Sequence, residues 1–498
     1  MLVNNLFLLK SVGINFIFTI TTSILGFFLN RYFVVYLGIN YLGVIKLFTE
    51  ILAYLSIVDM GIGSAAAYGL YKPLAEKNYE KINIVFSTLK SIYIKISMFI
   101  LIFGVVITFF LGFFIKDIVI TNEIKIYWLL MVSNTAITYL FGKYITLFNS
   151  DQKFNFVKIV QGSTRIVSFL FQIILLIRFQ SFLGIGILIV LESIFQYVIY
   201  SIYYRKKYSY INITKARDKT IFKNLKNLFY HKLAGLVVFN TDLILISKYV
   251  SIEIVGIYAS YQMVYRMIMV LIGILIGVIS PITGRYIASH SKKDIFKLFN
   301  LLNTLFIILA IISSYLFYNL ISSFIGIWLG EKYILSQGTS FLITINLFIG
   351  ISRQILEIFK ENSGFFDDIY NPIMEAVINF VFSIILVKFY GLNGVIIGTI
   401  ISNLIVVMGI KPIMTFNRAF DKGIIDYIKI YGKNLILIFF TFFIGNFLKK
   451  YFIIKILNIN TWILQGVILT LLILFVTVIV FLIDKDFRKI LKEKRWEK

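Results

Sequence analysis

The stretch TWILQGVILTLLILFVTVIVFLI, from Thr461 to Ile483, contains no charged residue. A helix of about 20 apolar residues is long enough to cross the roughly 30 Å hydrocarbon core of a bilayer. Apolar runs of similar length recur along the chain and are separated by short polar breaks. An outer-membrane barrel would show alternating segments of about ten residues instead, and no such alternation is visible. The pattern predicts an all-α protein that crosses a membrane many times.

The composition excludes a water-soluble enzyme. Of the 498 residues, 59% are hydrophobic and 15% are charged, and the mean hydropathy is +0.90. These values lie far above the apolar share that is usual in soluble proteins. The absence of cysteine excludes disulfides and thiolate metal sites. His231 and His290 are far apart and have no partner at ligand spacing, so we predict no metal and no cofactor.

Fourteen spans are predicted, and they suggest two lobes of six helices followed by two additional helices. Their approximate ranges are 14–37, 43–66, 92–115, 126–147, 159–178, 182–203, 228–249, 254–280, 299–320, 338–358, 372–389, 391–410, 434–448 and 461–483. The predicted domains are an N-terminal lobe at 1–204, a cytoplasmic basic linker at 205–226, a C-terminal lobe at 227–411, spans thirteen and fourteen at 412–483, and a basic cytoplasmic tail at 484–498.

The basic residues give the orientation. The formal net charge is +25, and connections after even-numbered spans together with both tails hold 32 of the 49 basic residues, against 9 on the other side. Lys411, directly after span twelve, is counted in the larger group. Because Lys and Arg collect in cytoplasmic loops of membrane proteins, both termini are predicted to be cytoplasmic, and nucleic acid is not expected as a partner.

A short internal repeat fits the division into two lobes. The segment LGINYLG, Leu37 to Gly43, aligns with VSIEIVG, Val250 to Gly256, at a constant offset of 213 residues. Both copies connect an outward-going span to an inward-going span. We therefore expect two halves of the same orientation, related by a pseudo-twofold axis along the membrane normal.

Several cations lie inside predicted spans, where an ionised group costs about 2.5 to 3.5 kcal/mol on insertion scales. Arg31 in span one and Arg266 in span eight have no acidic residue three or four positions away. We predict that both face a hydrated cavity and bind the substrate. Arg353 is a third candidate, although it lies four residues before Glu357 and is also placed for a helical ion pair.

The intramembrane acids leave two readings open. They are ion-binding groups that couple transport to protons or sodium, or structural partners of the arginines. Lys46 and Glu50 lie four apart and are placed for an ion pair. The other acids in this group are Asp59, Glu192, Asp242 and Glu375.

Guanidinium groups suit phosphate because their planar fork donates two parallel hydrogen bonds to its oxygens. Arginines in both lobes therefore favour a phosphate-bearing anionic substrate. A carboxylate substrate stays open as well, since the same fork binds it.

Two regions resemble a known family. Asn30-Arg31, the segment Leu37 to Gly43, the segment Asp59 to Ser64 and the segment Leu70 to Ala75 are similar to the N-terminal signature of Wzx-type polysaccharide flippases, which belong to the MOP (MATE-like) superfamily. The run TDLILISKYVSIEIVGIYAS, from Thr241 to Ser260, resembles the span-seven motif of that family. Only Asp242 and Gly256 are carried over singly from this run.

The resemblance implies a non-catalytic transporter of the bacterial inner membrane. Such a flippase moves a polyprenyl-diphosphate-linked oligosaccharide to the outer leaflet by alternating access around a cationic cavity. Its implied partners are that lipid-linked oligosaccharide and membrane lipids, with room for a glycan polymerase.

Two other classes compete with this reading. A MATE-type cation-coupled drug or metabolite antiporter would share the fold and use acids such as Asp59 or Asp242, but the fourteen predicted spans argue against it. A membrane glycan polymerase or ligase would carry a long polar external loop, whereas the longest external gap, around 321–337, is mostly apolar. An ATP-driven exporter is disfavoured because the chain has no G-x-x-x-x-G-K-[ST] phosphate loop.

Overall fold

A computed structural model describes residues 5–56, 62–218, 241–365 and 370–482 together with Arg488, with side chains from residue 13 onward. In this part of the chain the regular secondary structure is helical and contains no β-strand. The prediction of an all-α polytopic membrane protein is therefore confirmed. The residue contacts divide the chain into two compact units, Met1–Gly256 and Ile257–Lys498. The predicted lobe boundary at the basic linker, 205–226, stays a prediction.

The first unit is built from long helices with short connections. Side-chain caps start three of them, since Asn78, Thr121 and Ser181 each accept a hydrogen bond from a backbone N–H of the first turn. Its helices are α1 (Asn5–Tyr36), α2 (Ile39–Leu55), α3 (Ile62–Glu76), α4 (Tyr79–Thr108), α5 (Leu111–Phe114), α6 (Asn122–Ser150), α7 (Phe154–Phe179), α8 (Phe182–Lys207), α9 (Asp242–Tyr249) and the start of α10 (Ile252–Ser289).

Close packing of α4 against α6 depends on a small residue. The indole N–H of Trp128 donates to the carbonyl oxygen of Gly104 at 2.7 Å. A Cβ on Gly104 would overlap the side chain of Val132, so only glycine allows this approach. Small residues at helix contacts are the usual device for packing helices in a membrane, where no hydrophobic effect drives helices together.

The second unit contains two interrupted helices. It consists of the rest of α10, α11 (Lys292–Trp328), a 3₁₀ turn (Glu331–Tyr333), α12 (Gln337–Ser352), α13 (Gln354–Asn362), α14 (Tyr370–Tyr390), α15 (Leu392–Ser402), a π-helical segment (Asn403–Ile410), α16 (Lys411–Phe420), α17 (Ile424–Lys449) and α18 (Ile459–Leu482). A hydrophobic cluster that includes Tyr315, Leu437 and Ile473 joins α11, α17 and α18.

Twelve helices in the described residues are long and apolar enough to cross a membrane. They coincide with twelve of the fourteen predicted spans. The second and seventh predicted spans are not among the twelve, and both contain positions outside the described residues, at 57–61 and 228–240. Helices α2 and α3 lie on either side of the first gap, and α9 is the described end of the seventh span.

Both copies of the repeated segment begin a helix. Helix α2 begins at Ile39 after Gly38, whose φ of +94° is accessible mainly to glycine. Helix α10 begins at Ile252, the equivalent position at the offset of 213 residues. The N–H of Ile252 donates to both carboxylate oxygens of Asp117, at 3.0 and 3.2 Å. The local structure thus follows the sequence repeat, although the two turns are stabilised by different groups.

Candidate functional site

Two of the three predicted substrate-binding arginines lie in the same neighbourhood of the second unit. Arg266 is exposed on α10, and Arg353 is half-buried at the break between α12 and α13. Tyr265 interacts electrostatically with both guanidinium groups, and its hydroxyl donates to the carbonyl oxygen of Asn346 on α12 at 3.5 Å. Arg31, in the first unit, is exposed near the end of α1. The substrate-binding role of all three stays a prediction.

Arg353 also belongs to a buried ionic cluster of four residues. Its Nη1 lies 3.4 Å from Oε1 of Glu375 on α14. The other carboxylate oxygen of Glu375 lies 3.3 Å from Nζ of Lys411, and the same ammonium lies 3.0 Å from Oε1 of Glu357 on α13. Glu375 is 5% exposed and Lys411 is 7% exposed. Two cations and two anions make the cluster neutral, which is the condition under which charges are tolerated in such a site.

Both interrupted helices of the second unit supply a residue to the ionic cluster. Arg353 follows the last residue of α12 and precedes the first residue of α13. Lys411 follows the π-helical segment and begins α16. π-Helical turns are rare and occur frequently at functional sites. Charged groups inside membrane helices also mark functional sites by default.

The π-helical segment allows the helix to pass a proline. Pro412 has no N–H and would leave the carbonyl oxygen of Met408, four residues earlier, without its helical donor. The hydroxyl of Tyr427 on α17 donates to this oxygen instead. The helix continues to Phe420 as a result, ten residues beyond the predicted end of span twelve at 410.

The structure corrects two expectations. Arg353 does not form its ion pair with Glu357, because Glu375 on the neighbouring helix lies closer and Glu357 is engaged by Lys411. Lys411 is not an exposed cytoplasmic residue. It was missed because a lysine followed by a proline after an apolar run is typical of a helix end. Its buried acidic partners were the available signal, since Glu375 and Glu357 both need a cation.

The predicted acids fall into different environments. Glu192 on α8 lies 3.5 Å from the guanidinium of Arg165 on α7 and accepts from Gln196 at 3.4 Å. This contact is an interhelical ion pair with an arginine other than those predicted. Glu50 is buried on α2, one turn after Lys46. Asp59 lies outside the described residues.

Glu50 and Asp242 come together around Tyr54. The phenol of Tyr54 on α2 interacts electrostatically with both carboxylates. Its hydroxyl is 2.6 Å from Oγ1 of Thr241, the residue before α9. The tertiary structure therefore gathers two of the four predicted acids near one tyrosine of the first unit. Their role in ion coupling stays a prediction.

No group of three or more His, Cys, Asp or Glu side chains in the described part of the chain is arranged to hold a metal ion. The carboxylates of the ionic cluster are instead bridged by the Lys411 ammonium.

The fold, with intramembrane charges held at helix breaks, defines a polytopic helical transporter. The chain belongs to the polysaccharide biosynthesis protein family, whose profile matches residues 8–287. The match includes the regions around Arg31 and Asp242. Comparison with functionally curated proteins gave no significant match.

Solved structures share this fold. The chain is similar to the lipid II flippase MurJ in its inward closed conformation, with a TM-score of 0.67 and 16% identity over 96% of this chain and 99% of that chain. It is also similar to a multidrug resistance MATE family transporter of the MOP superfamily in an inward-facing conformation, with a TM-score of 0.60 and 13% identity over 79% and 94% of the two chains. A MOP superfamily transporter from Pyrococcus furiosus gives a TM-score of 0.52 at 12% identity, over 83% of this chain and 94% of that chain. At these identities the likeness concerns the fold alone.

Proposed function

We propose that the protein is a flippase of the bacterial cytoplasmic membrane, and not an enzyme. Its substrate is a polyprenyl-diphosphate-linked oligosaccharide, such as an O-antigen repeat unit used to build lipopolysaccharide or another surface polysaccharide. It moves this lipid from the inner to the outer leaflet by alternating access. The observation that carries the proposal is membership of the polysaccharide biosynthesis protein family in a chain with intramembrane arginines.

The intramembrane arginines give the proposal its chemistry. Arg266 and Arg353 interact with the same tyrosine, Tyr265, which brings two guanidinium groups into one region of the second unit. A diphosphate offers several oxygens to such groups, and charge-assisted bonds to guanidinium are among the strongest in proteins. Arg31 adds a third guanidinium on α1, the helix that carries the N-terminal signature.

The membrane potential supplies a driving force without a nucleotide. Moving one elementary charge across 100 mV is worth about 2.3 kcal/mol, so a diphosphate with two negative charges gains about 4.6 kcal/mol when it leaves a negative interior. This value is a ceiling, since guanidinium groups or a cation that move with the headgroup reduce the net charge transferred. Counter-transport of a proton or sodium ion through Asp242 or Asp59 would add to the drive.

A cation-coupled antiporter is the second candidate, and the proximity of Glu50 and Asp242 to Tyr54 favours it specifically. Clustered intramembrane acids are suited to binding a proton or sodium ion. The two candidates differ in substrate charge, because a drug antiporter of this type would carry a cation while the flippase carries an anion.

Reconstitution into ATP-free proteoliposomes tests the proposal. A fluorescent polyprenyl-diphosphate oligosaccharide is loaded on one leaflet, and a potassium diffusion potential is imposed with valinomycin. We expect flipping without ATP and faster flipping when the loaded side is negative. An absolute requirement for ATP would contradict the mechanism, as would identical rates at every potential and in every ion gradient. Uptake of a cationic dye in place of the lipid would favour the antiporter.

A further inference from the structure

The chain that leaves α8 runs along the surface of α4. Tyr208 follows the end of α8, and its hydroxyl donates to Oδ2 of Asp151 at 2.7 Å. Burial raises the pKa of Tyr208, and this hydrogen bond raises it further, so the phenol remains a donor. The basic linker is therefore anchored where it begins.

Three backbone N–H groups of the linker then donate to side-chain oxygens along one face of α4. The donors are Asn212, Thr214 and Asp218, and the distances to Asn83 Oδ1, Ser87 Oγ and Thr88 Oγ1 are 2.9, 2.8 and 2.9 Å. We call residues 208–218 the linker strap. Because these bonds use the backbone of the linker strap, its side chains are left to form the neighbouring surface.

Arg217 is held in place by the linker strap itself. Its Nη1 donates to the carbonyl oxygen of Thr214 at 2.7 Å and to that of Ala216 at 3.1 Å. Both bonds are made by one nitrogen of the guanidinium. The rest of the planar fork is consequently fixed in orientation, as a binding site for an anion requires.

A cavity of about 450 Å³ lies between the linker strap and α4. Lys95 and Arg217 line it together with the hydroxyl groups of Thr88 and Ser91. The remaining wall is apolar and consists of Ile62, Ile92, Ile96 and Phe99.

Lys95 sets the charge of this cavity. It is exposed although it lies within a membrane-length helix, and no carboxylate among the described residues forms an ion pair with it. The cavity thus combines two cations and two hydroxyl groups with no acidic residue among its described lining. Two like charges that share one cavity repel each other, and a bound anion relieves this repulsion.

We propose that this cavity binds the phosphate group of a membrane amphiphile, with Lys95 and Arg217 as ligands of the phosphate oxygens. The apolar wall of the cavity holds the part of the lipid next to the phosphate. As the occupant we assign the polyprenyl diphosphate, an assignment that rests on the proposed function. The cavity is then a loading site, distinct in sequence and position from Arg266 and Arg353.

Binding to the purified full-length protein tests this inference. The probes are farnesyl diphosphate as a short polyprenyl diphosphate, dimyristoyl phosphatidylglycerol as a phospholipid, and inorganic pyrophosphate as a soluble anion. Lys95→Ala and Arg217→Ala should each weaken farnesyl diphosphate binding about tenfold, because each removes a hydrogen bond to a charged group. Lys95→Arg and Arg217→Lys should keep most of the affinity.

Lys158→Ala is the matched control, since Lys158 is an exposed lysine of α7 in the same unit and does not line the cavity. It should leave farnesyl diphosphate binding unchanged. Arg217 lies outside any helix, so its substitution tests the site independently of changes in α4. Melting temperatures of all variants without ligand should match the parent protein.

The possible results separate the sources of the phosphate. Phosphatidylglycerol binding that depends on Lys95 and Arg217, without farnesyl diphosphate binding, would keep the phosphate site and overturn its role in loading. Equal affinity for pyrophosphate would overturn the amphiphile assignment, and loss of affinity in the Lys158 variant equal to that in the Lys95 variant would overturn the site. Flipping by the parent protein with no effect of Lys95 and Arg217 on binding would refute the inference alone. Binding without flipping would refute the proposed function alone.

Discussion

Gly43 and Gly256 pack against each other through their backbones in a reciprocal arrangement. A Cβ on Gly43 would lie 3.1 Å from the nitrogen of Gly256 and would overlap the carbonyl oxygen of Ile252. A Cβ on Gly256 would lie 3.2 Å from the nitrogen of Gly43 and 2.5 Å from the carbonyl oxygen of Ile39. These four residues are equivalent pairs at the offset of 213 residues, so the repeat is symmetric in its contacts as well as in its sequence.

Alanine at Gly43 or Gly256 is expected to destabilise the protein. The added methyl group meets a backbone carbonyl that has no other rotamer to adopt, and overpacking of this kind costs about 1 to 3 kcal/mol. Thermal unfolding of the detergent-solubilised protein measures the effect. Gly432→Ala is the control, because no described atom lies within 4 Å of a Cβ at that position of α17. Unchanged melting temperatures at both Gly43 and Gly256 would contradict the reciprocal packing.

Removing the Lys411 ammonium should destabilise the second unit strongly. Lys411→Met leaves Glu357 and Glu375 buried without their shared cation, and breaking a buried pair costs about 3 to 5 kcal/mol. The double variant Lys411→Met/Glu357→Gln restores a neutral cluster and should recover part of the loss. Lys388→Met, at the exposed end of α14, serves as the control. A double variant less stable than Lys411→Met would show that charge balance is not what holds the cluster.

The bond from Tyr427 to Met408 should matter only while residue 412 is proline. Tyr427→Phe leaves the carbonyl oxygen of Met408 without its donor and is expected to cost about 1 to 2 kcal/mol. In a Pro412→Ala background, the new N–H of residue 412 is available to the same oxygen, so the cost should fall. A double-mutant cycle by thermal unfolding measures the difference. An identical cost in both backgrounds would refute the compensation.

Transport should depend on the intramembrane arginines more than on surface ones. Arg31→Ala and Arg266→Ala are expected to abolish flipping in proteoliposomes, since each removes charge-assisted bonds to the diphosphate. Lysine should restore only part of the rate, because it supplies the charge without the planar fork. Arg178→Ala, at the exposed end of α7, should transport normally. Full activity of both alanine variants in well-inserted protein would remove these residues from the substrate site.

The predicted orientation places the start of the basic linker in the cytoplasm. Because the chain has no cysteine, single cysteines report directly on topology. Ser209→Cys and Lys498→Cys should resist an impermeant thiol reagent in intact cells and react after lysis. Glu331→Cys, in the exposed turn after α11, should react from outside and provides the positive control. Labelling of Ser209→Cys in intact cells would reverse the assignment.

The sequence alone determined the class of protein and most of its helices. Apolar runs of membrane length, such as Thr461 to Ile483, have few stable alternatives in a bilayer, because a helix satisfies every backbone hydrogen bond within the segment. For the same reason a deep charge such as Arg353 stands out without any structural information. The repeat was also visible in the sequence, since its two glycines recur at a constant offset.

The tertiary structure alone decided which charges meet. Arg353 reaches Glu375, and Lys411 bridges Glu375 and Glu357, across helices whose relative rotation no local periodicity encodes. Lys411 was assigned to a loop because Pro412 normally ends a helix, and only the donor from Tyr427 on α17 lets the helix continue. Helical spans follow from short-range hydrogen bonding and hydropathy. Ionic partners depend on side chains brought together from distant positions, and only the packed helices fix that geometry.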